Sequence, residues 1–354
     1  KKIHFKILYI FLIILSLIIF FFSTSKVQAK AYTINNIEIS EPFEINFDKN
    51  KVIDIGFKKA FSELISLITS SIDKKKIGQV RLNEIKGMIE SFTIKEERFI
   101  DEIYYVNLGV SFNKKQIFDY LEKRNIFPSI PVKNKFLFIP IIIEENKKDL
   151  LIFSDNKIHN EWNNLNKSSY LIEYILPTDD LEDINFIKNN FENIEKYNFK
   201  EIIDKYDLDD SIIALIFKND EEIRILSRIT IKNNIVLKNQ SFSNINLSDD
   251  EQREKIINDL KTIYEDYWKM FNQINTSIKL YLNIKVENLD NLKIMSFEKN
   301  LMSIDLINDF FITKFDKDHT YYQIVFNGTL ETFLKTMNFY NYDFDTQNKI
   351  WVLR

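Results

Sequence analysis

The 354-residue chain contains no cysteine and only five glycines, five prolines and three histidines. The lack of cysteine excludes disulfides, thiolate metal sites, thiol nucleophiles and cysteine-linked lipids. None of the five glycines lies in a P-loop, a dinucleotide-binding fingerprint or a G-x-S-x-G nucleophile elbow. Nucleotide and acyl-transfer chemistry of the common kinds is therefore disfavoured, and we predict no cofactor.

Histidine chemistry is also disfavoured. Only His159 and His319 lie beyond the first 29 residues, and they fall in different predicted domains. A histidine-based triad or metal site would need a convergence that the sequence gives no reason to expect. We assign no catalytic residue, and the sequence favours a protein that is not an enzyme.

The first 29 residues have the organisation of a bacterial export signal. Lysines at positions 1, 2 and 6 precede an apolar run from residue 7 to 22, and Val27-Gln28-Ala29 resembles a cleavage site. As a helix this run would span about 24 Å, less than the ~30 Å hydrocarbon core of a bilayer. We therefore predict a signal peptide at 1–29 and a periplasmic mature protein. An uncleaved inner-membrane anchor facing the periplasm is the alternative, and only then is membrane contact expected.

The predicted mature chain is acidic. Removing residues 1–29 takes away four lysines and no acid, so the net charge changes from −4 to −8. A basic footprint for nucleic acid is missing, and we expect no nucleic-acid partner.

Residues 30–130 are predicted to form a small α+β domain. An alternating segment at 33–47 is followed by apolar residues at helical spacing, beginning at Phe57, and by a strand pair within 94–112. Asn113 is expected to cap a helix, with Gln116 three residues later. Two nearby prolines, Pro128 and Pro131, indicate the end of this domain.

Residues 131–275 are predicted to form a Rossmann-like α/β domain. Unbroken apolar runs alternate with helical segments, which favours a largely parallel sheet covered by helices; the runs are 136–143, 171–176 and 212–217. Pro140 is expected to weaken its strand or to lie at an edge or bulge. A hairpin is expected at 232–234, and a long helix is expected to begin with Ser248 as its cap.

Residues 276–354 are predicted to form a ferredoxin-like domain. Apolar and polar residues alternate strictly from Ile278 to Val286, and the segments that follow indicate helix, strand, strand, helix and strand. This βαββαβ order is typical of the ferredoxin-like fold, which hosts many functions.

One acidic cluster is the only candidate for a cation site: Asp179, Asp180, Glu182 and Asp183. Hard cations bind where several oxygen ligands lie together. A simpler interpretation is a helix capped by Thr178, with acids in its first turn that complement the helix dipole. We favour the cap and predict no metal site.

The chain resembles the DUF2066 family, exported proteobacterial proteins that share this three-part order. Segments in all three predicted domains carry the resemblance: 105–112 leading into the Asn113 helix, 136–140, 176–183, 326–328 and 349–353. The resemblance implies export and offers no catalytic residues. By fold analogy, the first two domains also look like modules of periplasmic accessory proteins, such as those of the Tol system or the flagellar outer ring.

These observations predict a non-enzymatic accessory protein that binds a partner protein in the cell envelope. One alternative is a hydrolase that uses two carboxylates on an envelope polymer. Another is a small-molecule-binding module, which requires a concave, mostly apolar pocket of several hundred Å³.

Overall fold

A computed structural model describes residues 31–219, 222–288 and 291–354. The predicted signal peptide, 1–29, lies outside these residues. The described chain is a mixed α/β protein with three sheets. In these ranges, no helix combines the length and the apolar character needed to cross a membrane.

The first unit is a three-stranded antiparallel sheet of order β1-β3-β2, with helices packed on one face. Its elements are β1 (Ala31–Pro42), α1 (Lys49–Ile68), α2 (Ser71–Ile77), α3 (Leu82–Met88), β2 (Ile89–Ile100), β3 (Ile103–Asn113) and α4 (Lys114–Glu122). The predicted strand, helix, strand pair and helix occur in this order, whereas α2 and α3 were not predicted. The Asn113 cap is confirmed, because its side-chain oxygen accepts the Gln116 N–H at 3.1 Å.

The second unit is a mixed sheet in the order β5-β4-β7-β8-β9, with β6 also paired to β4. Its elements are β4 (Asn134–Glu144), β5 (Asp149–Ile152), α5 (Lys157–Glu161), β6 (Ile172–Ile175), α6 (Leu181–Asn189), α7 (Lys200–Ile203), β7 (Ser211–Lys218), β8 (Glu222–Ile231), β9 (Asn234–Ser243) and α8 (Asp250–Phe271). Only β6 and β7 run parallel to β4. The other pairs are antiparallel because their strands are joined by connections too short for a crossover. The predicted hairpin is present, and its two turn residues, Lys232 and Asn233, have positive φ.

Pro140 lies within β4 rather than at a sheet edge. On one side β4 pairs with β7 through Pro140 itself, and on the other side it pairs first with β6 and then with β5. The Pro140 carbonyl faces the gap between β6 and β5, where it accepts a hydrogen bond from Asn156 Nδ2 at 3.0 Å. Since the nitrogen and carbonyl of one strand residue point to the same side, no ladder bond is lost at the proline.

Two predicted helix caps are wrong by one or two residues. The first residue of α8 is Asp250, and its cap is Asp249 rather than Ser248, since Asp249 Oδ1 accepts the Gln252 N–H. Similarly, α6 is capped by Asp180 rather than Thr178. In both cases the carboxylate nearer the helix can reach the free N–H groups of the first turn.

The third unit is a sheet in the order β11-β12-β10-β14-β13, with two helices contributing to its core. Its elements are β10 (Lys279–Glu287), α9 (Asn291–Ser303), β11 (Ile307–Phe315), β12 (His319–Asn327), α10 (Leu330–Phe339), β13 (Phe344–Asp345) and β14 (Trp351–Leu353). β10 is antiparallel to β12 and parallel to β14. The order of the elements is the predicted βαββαβ, with the short β13 added.

Candidate functional site: a groove at an open strand edge

The acidic cluster surrounds a lysine. The carboxylate oxygens of Asp180, Glu182 and Asp183 lie within 4.8 Å of one another. Lys205 Nζ lies 3.2, 2.9 and 2.6 Å from them, respectively. Asp179 has a different role, because its Oδ1 accepts the Ser154 N–H at 3.1 Å. The ammonium group of Lys205 therefore stands where a bound cation would stand.

The ionisation of these groups fits an ion-paired helix start. Hydrogen bonding to Asp183 and then to Glu182 raises the pKa of Lys205. The Glu182 N–H, followed by Lys205, lowers the pKa of Asp180, and hydrogen bonds from Ser154 lower the pKa of Asp179. A glycosidase-type general acid needs a raised pKa. Neither Asp179 nor Asp180 is suited to that role.

A second polar cluster lies inside the middle unit. Lys261 and Glu265 are buried on α8, although charged residues are rarely fully buried. Lys261 Nζ donates to Leu165 O at 2.7 Å and lies 5.3 Å from the centroids of the Trp162 and Tyr174 rings.

Burial governs the ionisation of this second cluster. It lowers the pKa of Lys261 to about 8 and raises the pKa of Glu265. Lys261, Trp162 and Tyr174 are all buried. The cluster therefore stabilises the interior of the middle unit and is not accessible to a ligand.

A concave surface lies between the first and third units. This groove has a volume of about 400 Å³ and is mostly apolar. It is formed where the start of α4 meets α9 and β11. The lining residues are Asn113, Lys114, Lys115, Phe118, Glu298, Leu301, Met302, Ile307, Asn308, Asp309, Phe310, Phe311 and Ile312.

One wall of the groove is an open strand edge. Within the described residues, β11 is the terminal strand of its sheet and pairs with β12 alone. Phe311, Ile312 and Phe315 are 45%, 54% and 71% exposed. An edge strand that exposes large apolar side chains is a template for another strand.

Ion pairs across the groove join the two units that form it. Lys115 Nζ lies 2.6 Å from Asp309 Oδ2, and this hydrogen bond raises the pKa of Lys115. Lys114 Nζ donates to Asp305 O at 2.5 Å. Within the groove, Glu298 accepts a hydrogen bond from the Tyr322 hydroxyl at 2.7 Å. Each of these charged groups has a hydrogen-bond partner within the fold, which favours an uncharged ligand.

No pattern in the sequence predicted the groove. Its walls come from segments nearly 200 residues apart, and no short motif connects them. The usable signal was the run Phe310-Phe311-Ile312, because three successive apolar residues place apolar side chains on both faces of a strand. We predicted the strand from this run but not its exposed position at the sheet edge.

Comparison with known proteins leaves the family of this chain open. No family profile and no curated protein matches the chain, so the DUF2066 resemblance stays a prediction.

Proposed function

We propose that the protein is an exported, non-enzymatic binding protein of the cell envelope, and that its groove takes an extended segment of a partner protein. The segment would add to β11 as a further strand. The observation that carries the proposal is the open edge of β11, with Phe311, Ile312 and Phe315 exposed beside a 400 Å³ groove. Main-chain hydrogen bonds would provide affinity, and the groove would accept alternate side chains.

The proposal includes the location and the finer fold assignments. Export to the periplasm rests on the sequence of residues 1–29. The ferredoxin-like assignment of the third unit is supported by the strand order β11-β12-β10-β14. The Rossmann-like assignment of the second unit rests on the parallel strands β6, β4 and β7.

The test uses residues 30–354 and a fluorescent, uncharged heptapeptide of alternating valine and threonine. We expect saturable binding by fluorescence anisotropy. The Ile312→Asp variant should bind at least tenfold more weakly, because the new carboxylate would be desolvated under the added strand. Leu181→Asp is the matched control, since Leu181 is 80% exposed on the middle unit.

A second peptide separates strand addition from simple apolar contact. Methylating alternate backbone nitrogens removes the donors that an added strand needs while keeping the side chains. Loss of binding is expected. Equal binding of the methylated peptide would contradict strand addition.

The groove also favours one alternative, a small-molecule-binding module, because its volume and apolar lining suit a small apolar ligand. That alternative predicts that an apolar dye binds residues 30–354 while neither peptide does. If the heptapeptide result supports strand addition, photocrosslinking in cells identifies the partner. The crosslinker is placed at position 312, and position 181 is the control.

A further inference from the structure

We propose that the first unit binds an amphiphile with one acyl chain and an anionic head group, of the chemical class of a fatty acid. Its site is a basic pocket of about 390 Å³, lined by residues of α1 and α2, by the segment 78–80 and by Ile85 of α3. The basic pocket shares no lining residue with the groove at β11. The proposal is therefore independent of strand addition.

The interior of the basic pocket is apolar. Phe61 and Ile65 on α1 and Ile85 on α3 are buried and belong to the core of the first unit. Ile77 and Val80 are half-buried and pack against the same core. An acyl chain in contact with these side chains loses apolar surface to water, which stabilises its binding.

Two lysines stand at the rim of the basic pocket. Lys58 on α1 and Lys74 on α2 both line it, and both are exposed. Within the part of the chain that the structure describes, neither lysine forms an ion pair. Lys74 Nζ donates a hydrogen bond to the Ser66 hydroxyl. An ammonium group has three donors, so Lys74 can still bind an anionic group.

The acids closest to these lysines in sequence are already paired with other lysines. Asp54, one helical turn before Lys58, lies 2.7 Å from Lys86 Nζ. Asp73, which precedes Lys74, lies 2.7 Å from Lys76 Nζ. Although the whole chain has a net charge of −4, the rim of the basic pocket is locally positive.

The shape and the charge of the basic pocket together select the ligand. An apolar interior requires an apolar ligand body, and two lysines at the rim favour a negative charge at one end of it. Ligand sites measure roughly 300–1,000 Å³, so a volume near the lower limit suits one acyl chain rather than two. A single-chain anionic amphiphile has both properties.

The test titrates dodecanoate into the protein at neutral pH, below the concentration at which dodecanoate forms micelles, and follows binding by calorimetry. We expect saturable binding with one site per chain. The double variant Lys58→Gln/Lys74→Gln should bind about tenfold more weakly, because two exposed ion pairs are lost. Lys75→Gln is the matched control: Lys75 is an exposed lysine of the same helix that does not line the pocket, and its variant should bind as the wild type does.

Two further measurements separate the pocket from unspecific contact with an apolar chain. Ser62 is exposed on α1 and lines the pocket, so Ser62→Phe should fill it and abolish binding without disturbing the core. Dodecan-1-ol, which has the same chain without the charge, should bind about tenfold more weakly than dodecanoate. Absence of saturable dodecanoate binding, equal binding of the alcohol, or equal losses in the double variant and in Lys75→Gln would each overturn the proposal. Undiminished binding by Ser62→Phe would overturn it as well, because the ligand would then lie elsewhere.

Discussion

Replacing Glu265 with alanine should destabilise the middle unit strongly. Glu265 is 2% exposed, and its carboxylate accepts the N–H of Leu171 at 2.9 Å and the N–H of Ile172 at 2.8 Å. These bonds hold the start of β6 against α8. Alanine leaves two buried donors without an acceptor, at about 1–3 kcal/mol each, and removes the carboxylate that faces Lys261 and Lys269. Since loss of one partner from a buried charged group costs about 3–5 kcal/mol, we expect a loss of that size.

The assay is urea unfolding followed by tryptophan fluorescence, because Trp162 and Trp268 both lie in the middle unit. Glu254→Ala is the control: Glu254 is exposed on the same helix, and its change should stay within about 0.5 kcal/mol. A Glu265→Ala variant as stable as this control would refute the reasoning.

The Glu265→Gln variant tests the direction in which the stability of the protein changes with pH. Burial raises the pKa of Glu265, so the folded state holds the proton more tightly than the unfolded state. The contribution of Glu265 to stability therefore increases as the pH falls from its raised pKa towards the ordinary 4.5. The advantage of the wild type over Glu265→Gln should widen in that window, and a constant difference would contradict the assignment.

Four further substitutions test other parts of the fold. Lys205→Met leaves three carboxylates together without the lysine, so we expect millimolar calcium to raise the melting temperature of this variant and to leave that of the wild type unchanged. If calcium has no effect on the variant, removing Lys205 is not sufficient to create a calcium site. The pKa of Lys261 is lowered from 10.5 to about 8, so the unfolded chain holds the proton between these values and wild-type stability should rise with pH there. Lys261→Met should reduce that rise in urea unfolding without abolishing it, because burial also lowers the pKa of Lys269; an unchanged rise would contradict the assignment to Lys261. Gly87→Ala should stabilise α3 by about 0.5–1 kcal/mol, because the added Cβ meets nothing within 4 Å. Gly56→Ala places its Cβ against the buried Leu108 and Ile39 side chains and should destabilise by about 1–3 kcal/mol; the opposite order of the two variants in thermal unfolding would contradict this geometry.

Local patterns predicted the elements that local physics determines. The Asn113 cap, the hairpin at Lys232 and Asn233, and the alternating strand β10 each depend on neighbours within a few residues. The pairing of the middle sheet depends on connection lengths. The apolar runs indicated buried strands, but a strand buried on both faces looks the same in a parallel and in a mixed sheet.

The partners of charged residues were not predicted where they lie far away in sequence. Lys261 and Glu265 lie on the buried face of α8, beside Leu260 and Tyr264, whereas their charge alone would place such residues in solvent. Their partners, Leu165, Leu171 and Ile172, precede them by more than 90 residues. The acidic cluster posed the same problem, because Lys205 lies 22 residues beyond Asp183. A carboxylate cluster in sequence cannot show whether a protein amine already occupies its centre.

The groove illustrates what a sequence can and cannot predict about a binding site. Phe310-Phe311-Ile312 requires cover on both faces of a strand, which a central position or a docked partner can provide. The fold places this run at the terminal strand β11, so one of those two solutions is excluded for the described chain. Apolar side chains then remain exposed along the edge, beside charges that are already paired. An edge with these properties invites pairing with other chains unless a specific segment covers it. A partner strand that pairs with β11 would satisfy this edge, as we propose.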